Sequence, residues 1–274
     1  MFRRILVLAD NYHLTDFLLR YIPNVFPSSE YHVLSIIDYG YDILSVTDYI
    51  EDTLEESAIR AMLHCASVLE ERGVVSQKTI LKGNFQAVVE KYTRENEIDL
   101  IATETYIDED KKKSHITWHL EGLFKSVEKP ILIMDRAVEL KKPDSVSILY
   151  TGARHSKEAL VLGLELAKWL EASCLVLHVG ERAGNLMRLQ LDRITPRIGT
   201  QTPVETRECA SAQEIVDILA NYDLFVMSRG GRSLADRVKM FVRRLPLSKV
   251  EIDVLMYAPI PTILVGGKTE GEHG

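Results

Sequence analysis

The 274-residue chain is poor in several features, and each shortage closes off a class of function. Its three cysteines, Cys65, Cys174 and Cys209, lie far apart beside apolar or small residues, and no C-x-x-C pair occurs. An odd, scattered set predicts buried free thiols rather than a disulfide framework, a zinc ribbon or a thioredoxin-type site. No apolar run approaches the roughly 18 residues that a membrane-spanning helix requires. Met1-Phe2-Arg3-Arg4 leads straight into the short run Ile5–Ala9 instead of a signal h-region, so a cytoplasmic protein without membrane insertion is expected. Basic excess is missing too: 33 Lys/Arg stand against 40 Asp/Glu, a formal charge of −7, which argues against nucleic acid as a partner. H-x-G-H, S-G-G-x-D-S and G-x4-G-K-S/T, which mark three kinds of nucleotide enzyme, are all absent, and nothing in the chain points to catalysis.

What is present is a globular composition, 46% hydrophobic and 27% charged, at a length that suits two domains of about 135 residues. One order of elements occurs twice. In the first half come the run Ile5–Ala9, a helix-period stretch with Leu14, Leu18, Leu19 and Ile22, and a strand over Tyr31–Ile37. A long helix follows from about Thr47 to Arg72, with Ile50, Leu54, Ala58, Ala61, Cys65 and Val68 at spacings of three and four and Gly73 as its left-handed stop. Then come a strand over Lys78–Leu81, a helix opening at Gly83-Asn84 with Val88 and Tyr92 on one face, and strands over Asp99–Ala102 and Pro130–Met134. The second half reads as strand Ser147–Tyr150, helix Ser156–Leu170, strands Cys174–Val179 and Val204–Glu208, a helix opening in the capping box Ser211-Ala212-Gln213-Glu214, and strands Asp223–Met227 and Thr262–Val265. The charged stretch Arg136–Asp144 carries Pro143 and reads as a linker, which divides the chain into domains 1–141 and 142–274. Charge divides with it: 16 Lys/Arg against 24 Asp/Glu in the first, 17 against 16 in the second.

Apolar strands alternating with amphipathic helices predict an α/β fold of two tandem doubly wound parallel-sheet domains. In such sheets ligands bind beyond the C-terminal strand ends, where strand order reverses. Four features then form a familiar set: Ala9-Asp10 ending the first strand, the long second helix, Met227-Ser228-Arg229-Gly230-Gly231 after the fourth strand of the second half, and the closing Pro-Ile-Leu-Ile strand. Over nearly its whole length the chain resembles the universal stress protein family in its tandem form, whose domains are Rossmann-like and similar to adenine nucleotide alpha hydrolases. The resemblance implies a non-enzymatic stress or signalling module. It also implies an internal pseudo-dimer paired along the closing strands Ile131–Met134 and Thr262–Val265, with a further homodimer or protein partner as an expectation.

Many members bind ATP through Gly-x2-Gly-x9-Gly-Ser/Thr after the fourth strand and an Asp ending the first; ATP or AMP is the cofactor this implies. Glycine lets backbone N–H groups approach phosphate, and the hydroxyl adds a donor. In the first half Asp10 matches the family's Asp, or serves as a helix cap or turn carboxylate. The fourth strand, however, runs into Glu104 and then Asp108-Glu109-Asp110, four acids that would repel a triphosphate, and Thr117-Trp118 take the place of the later Gly-Ser. In the second half Thr151-Gly152 follow the first strand, with Gly152 in place of the Asp. Ser228 replaces the first signature glycine, Gly230-Gly231 follow Arg229 with only Gly231 fitting the second, and Ser248-Lys249 stand for the final Gly-Ser. Arg229, Arg232, Arg237, Lys239, Arg243, Arg244 and Lys249 face the single acid Asp236 in this stretch, so it is either a solvated helical face or a place where charge holds an anion. The candidate nucleotide or anion residues are therefore Asp10, Thr151, Gly152, Ser228, Arg229, Gly230, Gly231, Arg232 and Ser248. Two alternatives stay open: an ATP-binding protein with weak hydrolase activity, and a module that regulates a membrane transporter through its basic segment.

Other constellations are weaker. His115 and His119 share a helical face with Glu121 nearby, the beginning of a metal site, but surface histidines explain them better. Ser156 beside His155 reads as a helix N-cap, not a nucleophile. His178, near a strand's ligand-facing end, reads as an ordinary core or rim histidine. Phe17, Leu54, Met62, Leu69, Leu166 and Trp169 fall at helical spacings that assign them to the core.

Overall fold

The computed structural model describes residues 1–9, 16–38, 48–104, 122–124, 126–134, 140–152, 155–179, 181–199, 203–229, 254–255 and 257–266. They divide into two compact units, one running from Phe2 to Lys129, the other from Pro130 to Gly274 together with Met1.

The unit Phe2–Lys129 is built from β1 (Arg4–Leu8), α1 (Asp16–Val25), β2 (Glu30–Ile37), α2 (Asp48–Glu70), β3 (Ser76–Lys82), α3 (Phe85–Glu95) and β4 (Leu100–Glu104). Its strands lie in the order β3-β2-β1-β4, all parallel. The central strand β1 buries Ile5, Leu6 and Val7 almost completely, as expected of a strand covered on both faces. Gly73 stops α2 at φ +73°, and Asn84 caps α3 by accepting from the Ala87 N–H. On α3 it is Val89, not Val88, that joins Tyr92 in the core.

The unit Pro130–Gly274 comprises β5 (Ile131–Met134), β6 (Ser145–Tyr150), α4 (Ser156–Leu170), β7 (Ser173–Val179), α5 (Glu181–Ile198), β8 (Val204–Cys209), α6 (Ala212–Leu219), β9 (Leu224–Arg229) and β10 (Thr262–Gly266). Its strand order is β5-β10-β9-β6-β7-β8. All pairs are parallel except β5 with β10, where Ile133 faces Thr262 and Ile131 faces Leu264. Pairing of the two closing strands is thus present. It draws β5, which ends the first sequence repeat, into the packed unit of the second, where all four of its residues are buried. The edge strands β3 and β8 are instead rich in exposed polar and charged side chains, which discourages further strand addition.

Helix α5 is not legible in the sequence. Eighteen residues long, it contains Gly184 and Pro196 and has only four buried positions, so its apolar period is faint. Two further expectations are corrected. Ser156 is not an N-cap: it is the first helical residue, wholly buried, and hydrogen-bonded to the Tyr150 phenol, while the cap position falls on His155, whose side chain does not cap the helix. Phe17 and Trp169 are 41% and 39% exposed and lie outside the core; Leu69 and Leu166 are within it.

The three thiols are free and buried. Desolvation pushes Cys65 and Cys174 up to about 12 and Cys209 to about 11, which makes them inert at neutral pH. No helix among the described residues is long and apolar enough to cross a membrane.

Candidate functional site

The repeat is visible at the level of single atoms. Asp99, just before β4, accepts from the backbone N–H groups of Arg3 and Arg4 at 2.8 and 3.2 Å. Asp223, just before β9, accepts from those of Asp144 and Ser145 at 3.0 and 3.1 Å, and also from the Ser145 hydroxyl at 2.8 Å. Each acid ties the start of a domain's fourth strand to the start of its first. Lys141, in the predicted linker, adds an ion pair to Asp223 at 3.0 Å. Burial pushes the Asp223 carboxyl up, but its bonds from Lys141, Ser145 and the Asp144 backbone outweigh that and hold it below its ordinary value.

These clamps align the two halves residue for residue, because Arg4 answers to Ser145 and Asp99 to Asp223. Counting forward, Ala9 answers to Tyr150 and Asp10 to Thr151, so Thr151, not Gly152, stands where the first half has its aspartate. By the same count Glu104 answers to Ser228.

In the second unit β6 and β9 are neighbours, with Ile148 beside Val226 and Leu149 beside Met227. From β6 the chain goes outward through α4 to β7, whereas β9 lies on the other side and is reached from β8 through α6. The C-terminal ends of β6 and β9 therefore flank the switch point of the sheet. Tyr150, Thr151 and Gly152 leave β6 there, and Ser228 and Arg229 end β9. Ser228 is 1% exposed and Arg229 3%, both inside the strand rather than on a loop beyond it. Thr151 Oγ1 and Ser228 Oγ are both shielded from solvent and have no hydrogen-bond partner among the described residues. A buried hydroxyl without a partner is costly, and two on adjacent strand ends is an arrangement that folding alone does not favour.

Gly152 has φ +76°, and a Cβ there would lie 3.3 Å from Ala183 Cβ at the start of α5. Both backbone conformation and space thus call for glycine. His178 is 4% exposed and packed under Gly184, as the core reading expects.

The equivalent place in the first unit is acidic. Glu104 ends β4 with one carboxylate oxygen shielded from solvent. Its charge, with that of Asp16, adds to the burial that raises the Cys65 thiol. A phosphate would meet a carboxylate there and a hydroxyl in the second unit. Asp10, Gly230, Gly231, Arg232 and Ser248 lie outside the described residues, as do Asp108–Asp110, His115, His119 and all of the basic run after Arg229. Among the described residues no group of three His, Cys, Asp or Glu side chains could hold a metal ion.

No family model matches the chain, and no curated protein matches it. Among solved structures, a universal stress protein from Archaeoglobus fulgidus DSM 4304 superposes with a TM-score of 0.75 at 17% identity, over 98% of this chain and 97% of that one. This chain has the universal stress protein fold. A protein of unknown function from Pseudomonas aeruginosa PAO1 gives a TM-score of 0.58 at 15% identity over 96% and 92% of the two chains. A candidate universal stress protein from Pseudomonas aeruginosa UCBPP-PA14 gives 0.57 at 15% over 96% and 93%. Rossmann-like tandem architecture was thus readable from element order alone, at a level of identity where few individual residues carry it.

Proposed function

We propose that the protein is a non-enzymatic, ligand-responsive module of the universal stress protein type, and that its ligand is a nucleotide or related phosphorylated anion held at the β6–β9 mouth of the second unit. The observation that carries this reading is the pair of unpartnered, buried hydroxyls on Thr151 and Ser228. Together with the Gly152 backbone and the buried Arg229 they offer donors and positive charge where this fold takes ligands. ATP or AMP fits that chemistry: the two hydroxyls, the Gly152 peptide and Arg229 would hold its phosphates. Glu104 disfavours the same ligand in the first unit.

A thermal-shift titration with ATP, ADP, AMP and cyclic nucleotides, with and without magnesium, tests the proposal. A ligand at 100 times its dissociation constant stabilises by about 2.7 kcal/mol, a rise of about 5–10 °C for a chain of this size. The double variant Thr151→Val, Ser228→Ala should lose that rise while being at least as stable as wild type without ligand, since it deletes polar groups that the fold leaves unpaired. An equal rise in both proteins would move the site elsewhere. No rise with any nucleotide would sink the proposal.

A further inference from the structure

Helices α4 and α5 of the second unit enclose a groove of about 880 Å³ whose lining shares no residue with the site above. Its apolar lining is Val161, Ile194, Ile198 and the partly exposed indole of Trp169. Its rim carries Lys157, Lys168, Arg193 and Arg197 against one acid, Glu165. Lys168 is engaged, donating to the Ile198 carbonyl at the end of α5. Lys157, Arg193 and Arg197 are exposed and make no ion pair among the described residues. Gln190 also lines the groove, and its Oε1 is shielded from solvent without a hydrogen-bond partner among the described residues.

The corresponding helices of the first unit, α1 and α2, treat the same surface differently. There the side chains are paired: His64 of α2 meets Asp16 of α1 at 2.8 Å, and Arg20 pairs with Asp16 one turn away on α1 at 3.4 Å and with Glu71, just past α2, at 3.9 Å. The second unit has replaced such pairs by cations of one sign around an apolar floor. Like charges collected without counter-ions cost stability unless an anionic partner meets them.

A surface of the required kind exists on the chain itself. Along α2, residues Asp52, Glu56, Ile59 and Leu63 recur at spacings of four, three and four and form one stripe. All four are exposed, Ile59 to 37% and Leu63 to 51%. Asp52 and Glu56 make no ion pair among the described residues, while their neighbour Glu55 is taken by Lys82 at 2.9 Å. The stripe pairs two aliphatic side chains with two uncommitted carboxylates; the groove pairs an apolar floor with three uncommitted cations. We infer that the α4–α5 groove receives the α2 stripe of a second copy of this chain, Ile59 and Leu63 entering between the helices and Asp52 and Glu56 meeting Arg193, Arg197 and Lys157. This is a helix-in-groove contact. It joins two different surfaces, so it is heterologous, and a joined pair keeps one free stripe on one copy and one free groove on the other for further copies.

Sedimentation velocity on the full chain, across low to high micromolar concentration and at low and high salt, reads this directly. The wild type should associate with rising concentration and dissociate in high salt. Arg193→Glu with Arg197→Glu reverses the groove, and Asp52→Lys with Glu56→Lys reverses the stripe; each variant alone should associate at least about tenfold more weakly. An equimolar mixture of the two should regain association, because each then offers the other a matching surface. Circular dichroism of both variants checks that they fold. A wild type that stays monomeric throughout overturns the inference, as do variants that associate like the wild type and a mixture that fails to recover. Nucleotide binding at the β6–β9 mouth is read separately by thermal shift, so the two results stand or fall apart.

Discussion

Asp223→Ala is expected to destabilise the protein by about 3 kcal/mol, because it removes charge-assisted acceptors and strands two backbone N–H groups at the start of β6. The carboxylate is the joint between β9 and β6, the two strands that flank the candidate site, and Lys141 holds its other oxygen at 3.0 Å. Asp223→Asn keeps one acceptor oxygen and should cost less. Asp99→Ala in the first unit should also cost less, since among the described residues Asp99 accepts only from the Arg3 and Arg4 N–H groups, and one of these bonds is exposed. Urea melts of the three variants rank them.

The pH dependence follows from the lowered Asp223 value. A carboxyl whose folded pKa lies below its unfolded one contributes stability that is complete above the unfolded value, about 3.9, and is lost as pH falls through the folded value. The difference between wild type and Asp223→Asn should therefore stay constant down to about pH 5 and shrink only below about pH 4. A difference already shrinking near neutrality would show that another group sets it.

The second large effect is expected at Gly184. A Cβ there would lie 2.6 Å from His178 Cε1 and 3.0 Å from Nδ1. The ring is 4% exposed and cannot swing into solvent. In an ordinary helix interior Gly→Ala gains about 1 kcal/mol. At this position Gly184→Ala should instead lose about 1–3 kcal/mol through overpacking. In a His178→Ala background the same change should become stabilising, and that reversal of sign is what a double-mutant cycle would detect. An additive cycle would mean that α5 shifts freely and that Gly184 is not what lets it approach β7.

The fold was legible because its signals are local. Apolar runs such as Ile5–Leu8 and Leu224–Met227 are too short for core helices and read as strands covered on both faces, and caps such as Ser211 are written in four residues. Ser211 does accept from the Glu214 N–H, although the Glu214 carboxylate reaches back to the Ala210 N–H, one residue before the cap. Helix α5 escaped because only four of its eighteen positions are buried, and the one that lies over His178 of β7 is a glycine, which leaves no apolar mark in the sequence. Trp169 and Phe17 escaped in the opposite sense: helical spacing says that a residue shares a face, not that the face is covered. The site was legible only as an address. Thr151, Ser228 and Arg229 follow from the rule that ligands sit beyond strand ends, but the one-residue shift that puts Thr151 opposite Asp10 needed the Asp99 and Asp223 clamps. Those join residues 95 or more, and 78 or more, positions apart, a separation that no local pattern encodes.

The most direct test of the central claim is to incubate the full chain with labelled ATP and magnesium, separate protein-bound from free nucleotide by rapid gel filtration, and identify what stays bound over time. The expected result is nucleotide retained by the wild type as intact ATP and lost from Thr151→Val, Ser228→Ala. Conversion to ADP at the wild-type site would contradict the non-enzymatic reading, and failure to retain any nucleotide would contradict the site itself.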